Sequence, residues 1–293
     1  MTATQSHAHV TNASHRAASW PWQTRPRPIA LITGPTSGIG HAFALQLAAR
    51  GLDVVLVARD EERLAALAVD LRTRFGVDVE VLAADLTDPA GLARVESRLR
   101  SADRPVHTLV NNAGFGSGTP FEVATAERID EMIALHVTAV TRLTHAALPG
   151  MRARRSGLVL TVSSVAGLLP GASTAPYGPT KAYQVALMEG LAGSLAGTGV
   201  RVVAVCPGLT RTEFHERAGM DLSRLPGFVW LSPHRVVSDA LRAAARGIVV
   251  SIPTKRYRYA IRLAALVPRG TAGALVRRRD PRHPDPRLRR PRS

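Results

Sequence analysis

The sequence predicts an α/β fold built on a doubly wound parallel sheet. Short runs rich in Val, Leu and Ile alternate with stretches of helical period. The runs lack polar alternation, as strands covered on both faces do. A glycine-rich loop follows the first run and opens the first helical stretch, which is the context of a phosphate cradle.

The elements follow in order. IALIT at 29–33 is the first strand; TGPTSGIG at 33–40 leads into the helical stretch HAFALQLAAR. DVVLVA at 53–58 is the second strand, and ERLAALAVDLRTRF the helix after it. VEVLAA at 79–84, VHTLVNN at 106–112, GLVLTVS at 157–163, VRVVAV at 200–205 and IVVSI at 248–252 complete seven candidate strands. Parallel strands joined in this way need right-handed crossovers.

The 293 residues suffice for one large domain or two small ones, with a sizeable core. Cys206 is the single cysteine, so no internal disulfide can form; within VVAVC it reads as a buried apolar side chain. Arginine fills 36 positions and lysine only two, Lys181 and Lys255. The net charge of +16 is uneven: residues 253–293 hold 13 Lys/Arg against 2 Asp/Glu, residues 1–252 hold 25 against 20. No segment approaches the ~20 apolar residues of a membrane-crossing helix. Residues 1–27 lack the apolar core of a secretion signal.

The expected organisation is a flexible leader at 1–27, a folded domain at 28–254 and a basic extension at 255–293, in a cytoplasmic protein. Residues 255–268 have the pattern of a basic amphipathic helix; 269–293 are Pro/Arg-rich and expected to be disordered. The extension reads as a solvated tail or as a peripheral contact with an anionic inner membrane surface. Nucleic acid is the weaker partner, because only Tyr257 and Tyr259 interleave with the charge. The histidines show no metal-ligand spacing with Cys or acids, so no metal is expected.

In the glycine loop, Gly34 permits the tight turn out of the strand. Gly38 and Gly40 allow close approach of a pyrophosphate at the helix start, where free N–H groups favour an anion. The G-x-x-x-G-x-G spacing resembles that of the short-chain dehydrogenase/reductase family, single-domain NADP type, over about residues 28–252. The resemblance implies a Rossmann-like domain with a short substrate lid, and cofactor contacts at Gly34, Thr36, Ser37, Gly38, Ile39 and Gly40.

Ala58-Arg59 ends the second strand, where NAD-binding relatives usually carry an acid. A guanidinium there suits a 2′-phosphate, so the implied cofactor is NADP(H). The alternative is a solvated Arg59 beside Asp60, Glu61 and Glu62. Asp85 and Leu86 match the adenine contact of the family; Asn112, Ala113 and Gly114 match its adenosine-ribose side, with Asn111 tying strands together. Pro207, Gly208 and Thr212 of PGLTRT match the segment that holds the nicotinamide amide, with Thr210 as second choice.

Tyr177 and Lys181 of YGPTK stand four apart, on one helix face, and Pro179 places Tyr177 at the helix start. An ammonium near a phenol favours the phenolate, and the expectation is a lowered Tyr177 pKa. Ser164 lies thirteen residues before Tyr177, with Ser163 as its neighbouring competitor. By resemblance, Ser164, Tyr177 and Lys181 are catalytic and Tyr177 and Lys181 also touch the cofactor: Ser164 bonds the substrate oxygen, Tyr177 moves the proton, and Lys181 tunes it and holds the ribose.

One position departs from the family. His136, in ALHVTAV, stands where the family usually has an asparagine that holds a helix distortion and a relay water. Histidine could substitute in that relay, or be a packed residue with the relay impaired. The apolar stretch Phe214–Trp230 matches the substrate region; Phe214, Phe228 and Trp230, with Ser164, are its candidate contacts. The implied activity is NADPH-dependent reduction of a hydrophobic ketone: a 3-oxoacyl lipid, a steroid-like molecule or an aromatic ketone. The later layout is loosely similar to the bacterial subgroup that includes the mycolate reductases. A homodimer or tetramer is implied. The alternative is an NADPH-binding sensor or scaffold with weak catalysis.

Overall fold

All seven runs enter one parallel sheet in the computed structural model, which describes residues 27–116, 118–169, 175–214, 218–219 and 225–265. The strands are β1 (Ile29–Thr33), β2 (Asp53–Ala58), β3 (Val79–Ala83), β4 (Val106–Asn111), β5 (Gly157–Val162), β6 (Val200–Val205) and β7 (Val250–Ser251). Their order is β3-β2-β1-β4-β5-β6-β7, and every pair is parallel. The chain therefore winds outward from β1 to β3, then crosses back to β4. The reversal opens a crevice at the C-terminal ends of β1 and β4, where such sheets bind ligands.

Neighbouring residues of β1 and β2 face opposite layers. Ala30, Ile32, Val54 and Leu56 pack into one core; Ile29, Leu31, Val55 and Val57 pack into the other. Both faces are covered, so both sets of positions are apolar. The first layer holds α1 (Gly38–Ala48), α2 (Glu61–Phe75) and α7 (Pro233–Ala245). The second holds α3 (Pro89–Arg100), α5 (Val140–Ala153) and α6 (Tyr177–Ser194). A short α4 (Ala126–Ile133) runs into α5 through a π-turn at Ala134–Ala139.

Local signals set the ends. Asp60 caps α2 by accepting from Arg63 N at 3.0 Å, and Gly76 stops that helix in the left-handed region, φ +61°. Asp60 thus serves its own helix, as do Glu61 and Glu62 in the first turn. Asp88 caps α3 ahead of Pro89 in the same way.

One expectation needs adjustment. The seventh strand is two residues long rather than five, because it pairs only at the sheet edge and Ile248 is already exposed. The basic helix is α8 (Lys255–Ala265); residues 266–268 of the expected 255–268 lie outside the described residues. The leader up to residue 26, residues 266–293 and part of the lid lie outside the described residues. Among the described residues no helix is long and apolar enough to cross a membrane, and no group of three His, Cys, Asp or Glu could hold a metal.

Candidate functional site

The crevice between β1 and β4 is built around glycine. Gly34 and Gly38 adopt φ +64° and +56°, the region that favours glycine. A Cβ on Gly40 would stand 2.1 Å from Gly34 O, so α1 begins hard against the end of β1. Thr33 Oγ1 accepts from the N–H groups of Asn112 and Ala113, each at 2.9 Å. Asn112 Nδ2 donates back to Thr33 O and Gly34 O at 3.0 Å. That reciprocal pair bolts the two strand ends together beneath the loop, so the Asn112 amide hydrogens are spent on the scaffold. Asn111 ties β4 to its neighbours, donating to Thr144 Oγ1 at 3.0 Å.

Thr212 closes the other side of the loop. A Cβ on Gly38 would meet Thr212 Cγ2 at 2.8 Å. Ser37 stands at the N-cap of α1 without a side-chain capping bond, between Thr36 and Gly38. Ile39 packs against the first core layer. At the end of β2, Arg59 is 79% exposed and its guanidinium stands 3.6 Å from Asp85. Asp85 also accepts from Thr87 N and Oγ1 at 2.8 and 2.7 Å. Burial raises the Asp85 carboxyl, but the Thr87 bonds and Arg59 outweigh it and hold the carboxyl below its ordinary value. Leu86 beside it is buried.

Ser164, Tyr177 and Lys181 come together across the crevice from the loop. Ser164 follows β5 and caps a 3-10 turn at Val165–Gly167, accepting from Ala166 N at 3.1 Å. Tyr177 is the first residue of α6, with Pro179 in the first turn as expected. The Ser164 side chain acts on the Tyr177 hydroxyl and favours its ionised form. Ser163 is fully buried and donates to Lys181 O at 2.7 Å, so its hydroxyl is committed to the backbone. Lys181 is 4% exposed; Nζ donates to Val162 O at 2.9 Å and lies 5.7 Å from the Tyr177 ring centroid.

Burial reverses the expected electrostatics. It pushes the Tyr177 phenol up to about 12, with Ser164 pulling partly back. It pushes the Lys181 ammonium down to about 7. The helical spacing brought the two groups to one face as predicted, but desolvation decides the sign of both shifts. Cys206 is buried and pushed up to about 12 by the same cause, which fits an inert apolar neighbour.

The family model for short chain dehydrogenase matches residues 28–222. The chain belongs to the short-chain dehydrogenase family. It is an oxidoreductase of the kind that acts on CH–OH and C=O groups. A Streptomyces violaceoruber protein named for ketoacyl reduction in the granaticin polyketide synthase is 39% identical over 214 residues, 71% of this chain and 76% of that protein. A short-chain dehydrogenase from Sphingobium yanoikuyae, solved in complex with NADPH, is 42% identical with a TM-score of 0.75, covering 89% of this chain and 99% of that one. The bulky-bulky ketone specific alcohol dehydrogenase of Comamonas testosteroni is 33% identical with a TM-score of 0.71, covering 90% and 99%.

This short-chain dehydrogenase keeps a helix distortion at the departing position. His136 sits in the π-turn, fully buried. Nε2 accepts from Phe115 N at 3.2 Å, and Nδ1 lies 3.0 Å from Thr180 Oγ1. Thr180 gives its one proton to Tyr177 O at 2.8 Å, so Nδ1 is the donor of its pair. Both ring nitrogens are therefore occupied in one neutral tautomer. Burial, then the Lys181 and Arg128 charges, keeps the imidazole well below its ordinary range. The geometry is that of a packed, bonded histidine.

Sequence reasoning missed Tyr257. It comes from α8, yet its hydroxyl accepts from Leu209 N at 3.1 Å and donates to Val229 O at 2.8 Å. A Cβ on Gly208 would strike its ring at 2.1 Å, so Gly208 is shaped to receive it. Pro207 O accepts from Val165 N at 3.0 Å, joining the same loop to the turn after Ser164. Thr210 Oγ1 donates to Gly208 O at 2.9 Å within the loop. Tyr257→Phe should leave the Leu209 N–H and Val229 carbonyl unpartnered, at about 1–3 kcal/mol. A lowered Tm together with a raised KM for cofactor is the expected result; a shift in neither would remove Tyr257 from the loop's support.

The substrate candidates divide. The Phe214 ring lies 5.8 Å from that of Tyr177, and a Cβ on Gly116 would touch it at 2.9 Å. Phe228 is 67% exposed on the 3-10 turn Gly227–Val229, and Trp230 lies 5.9 Å from the Arg211 guanidinium.

Proposed function

We propose that this short-chain dehydrogenase reduces hydrophobic ketones with NADPH. The observation that carries the reading is the half-buried Ser164 and Tyr177 side chains beside the buried Lys181, facing a glycine cradle in which added Cβ atoms would collide. The cradle suits a pyrophosphate at the start of α1. Arg59 is an accessible guanidinium at the end of β2, suited to a 2′-phosphate. The similarity to an NADPH complex and to a ketone-specific dehydrogenase agrees with both halves.

The reduced nicotinamide would supply the hydride; the rest belongs to the chain. Ser164 Oγ would hold the carbonyl oxygen of the substrate next to Tyr177. As that oxygen gains negative charge, the Tyr177 hydroxyl would deliver its proton. A phenol raised by burial stays protonated at neutral pH and is ready to donate. Lys181 would steady the phenolate left behind, with an N–H to spare for the cofactor ribose. Phe214 presents an apolar wall beside the reacting oxygen. We further assign the substrate as a bulky or long-chain ketone, 3-oxoacyl lipids included.

The test is NADPH oxidation with a long-chain 3-oxoacyl ester and with bulky aromatic ketones. Turnover with either is expected; cofactor binding without turnover on any ketone would favour a sensing or scaffolding role. Arg59→Ala should raise KM for NADPH about tenfold and leave NADH unaffected, since the side chain is exposed and its pairing is screened. Equal change for both cofactors would mean that Arg59 does not read the 2′-phosphate.

A further inference from the structure

Gln184 stands three residues after Lys181 on α6, 1% exposed, inside the apolar run AYQVALM. A buried amide needs partners on both ends. Oε1 accepts from Lys181 Nζ at 3.2 Å, and Nε2 donates to His136 O at 2.9 Å. The amide has one orientation, because an ammonium can only donate and a carbonyl can only accept. Gln184 thus spans from the Lys181 nitrogen to the backbone of the π-turn.

The ammonium has no carboxylate beside it among the described groups that act on it. Tyr177 faces it from its own helix, His136 from the π-turn, and Cys206 from the end of β6. Arg128 acts on His136, and Glu189, further along α6, acts on Cys206. Tyr177, His136 and Cys206 are all uncharged at neutral pH, for the phenol and thiol lie high and the imidazole low. The support of the buried charge therefore falls to two neutral oxygens, Val162 O and Gln184 Oε1.

We propose that Gln184 is a positioning residue for the reaction: its amide anchors the Lys181 ammonium between the end of β5 and the π-turn and sets how readily that nitrogen loses its proton. A neutral acceptor supports a buried ammonium less than a carboxylate and more than an apolar group. Glutamine thereby leaves Lys181 able to change charge near neutral pH, in keeping with its value of about 7.

This inference rests on Lys181 belonging to the reductase site, so the test reads the lysine apart from turnover. The chain holds only two lysines, and isotope-labelled lysine gives two side-chain NMR signals, assigned with Lys255→Arg. The signals are followed against pH in the full chain, in Gln184→Met and in Gln184→Glu, both close to glutamine in volume. The Lys181 midpoint should fall by about one pH unit or more in the first and rise by about one or more in the second. The pH at which kcat/KM for ketone reduction declines should move with it, so that the two variants, with midpoints about two units apart, differ about tenfold at the pH midway between them. Lys181 midpoints that coincide, or that move the same way in both variants, overturn the proposal. Opposed midpoints without ketone turnover in any form would instead overturn the reductase reading and leave the Gln184–Lys181 coupling standing.

Discussion

Tyr177→Phe should lower kcat/KM for ketone reduction by about 10²–10⁴-fold, the usual contribution of a positioned proton donor. The variant is nearly silent elsewhere. The ring keeps its edge contact with His136 at 5.9 Å and its contact with Phe214 at 5.8 Å. Only the hydroxyl goes, and with it the influence of Ser164 on its ionisation. Cofactor affinity and Tm should therefore stay near wild type while turnover collapses. The comparison is initial-rate NADPH oxidation alongside cofactor titration. A variant that keeps a tenth or more of the wild-type rate would move the proton donor away from Tyr177.

Lys181→Arg should cost about 10²-fold or more in kcat, although it keeps a positive charge and copies the residue used at 36 other positions. The reason is room. Lys181 is enclosed by the end of β5, the π-turn and the 3-10 turn after Ser164. A Cβ on Gly167 would strike the Lys181 carbonyl carbon at 2.6 Å, which shows how closely that turn sits on α6. A guanidinium is planar, wider and permanently charged, and burying it without a carboxylate is unfavourable. The ammonium fits two carbonyl oxygens and can shed its charge. A lowered Tm should accompany the lost rate. Activity within tenfold of wild type would mean that charge alone matters at this position.

Much of this was legible along the chain. Ile29–Thr33, Asp53–Ala58 and Val200–Val205 are strands over the very residues that read as apolar runs, because both faces of each are covered. Gly34, Gly38 and Gly40 mark the crevice because each meets a local steric demand, which residue type alone reveals. Ser164 against Ser163 was less clear; the Ser163 bond to a backbone carbonyl on α6 settles where that hydroxyl goes, and sequence spacing cannot see it.

What stayed hidden was long-range or environmental. Tyr257 meets Leu209 across 48 residues of chain, with no local pattern to announce the contact. Gln184 carried a faint signal: a polar residue in an apolar helical run, one turn beyond Lys181. The sign of the Tyr177 and Lys181 shifts depends on burial, and burial is a property of the assembled layers rather than of YGPTK. Strand β7 was overestimated because apolar composition continues past the point where it has a partner to pair with.

The Tyr257 anchor bears on how the arginine-rich end can be studied. Cutting the chain before residue 255 to ask whether anionic vesicles hold the protein would also pull a peg from the loop that carries Pro207 and Thr212. A shortened protein that neither sediments with lipid nor turns over substrate would then report one broken joint as two lost properties. Neutralising Arg256, Arg258 and Arg262 on the exposed side of α8, with Tyr257 left in place, separates adhesion from catalysis.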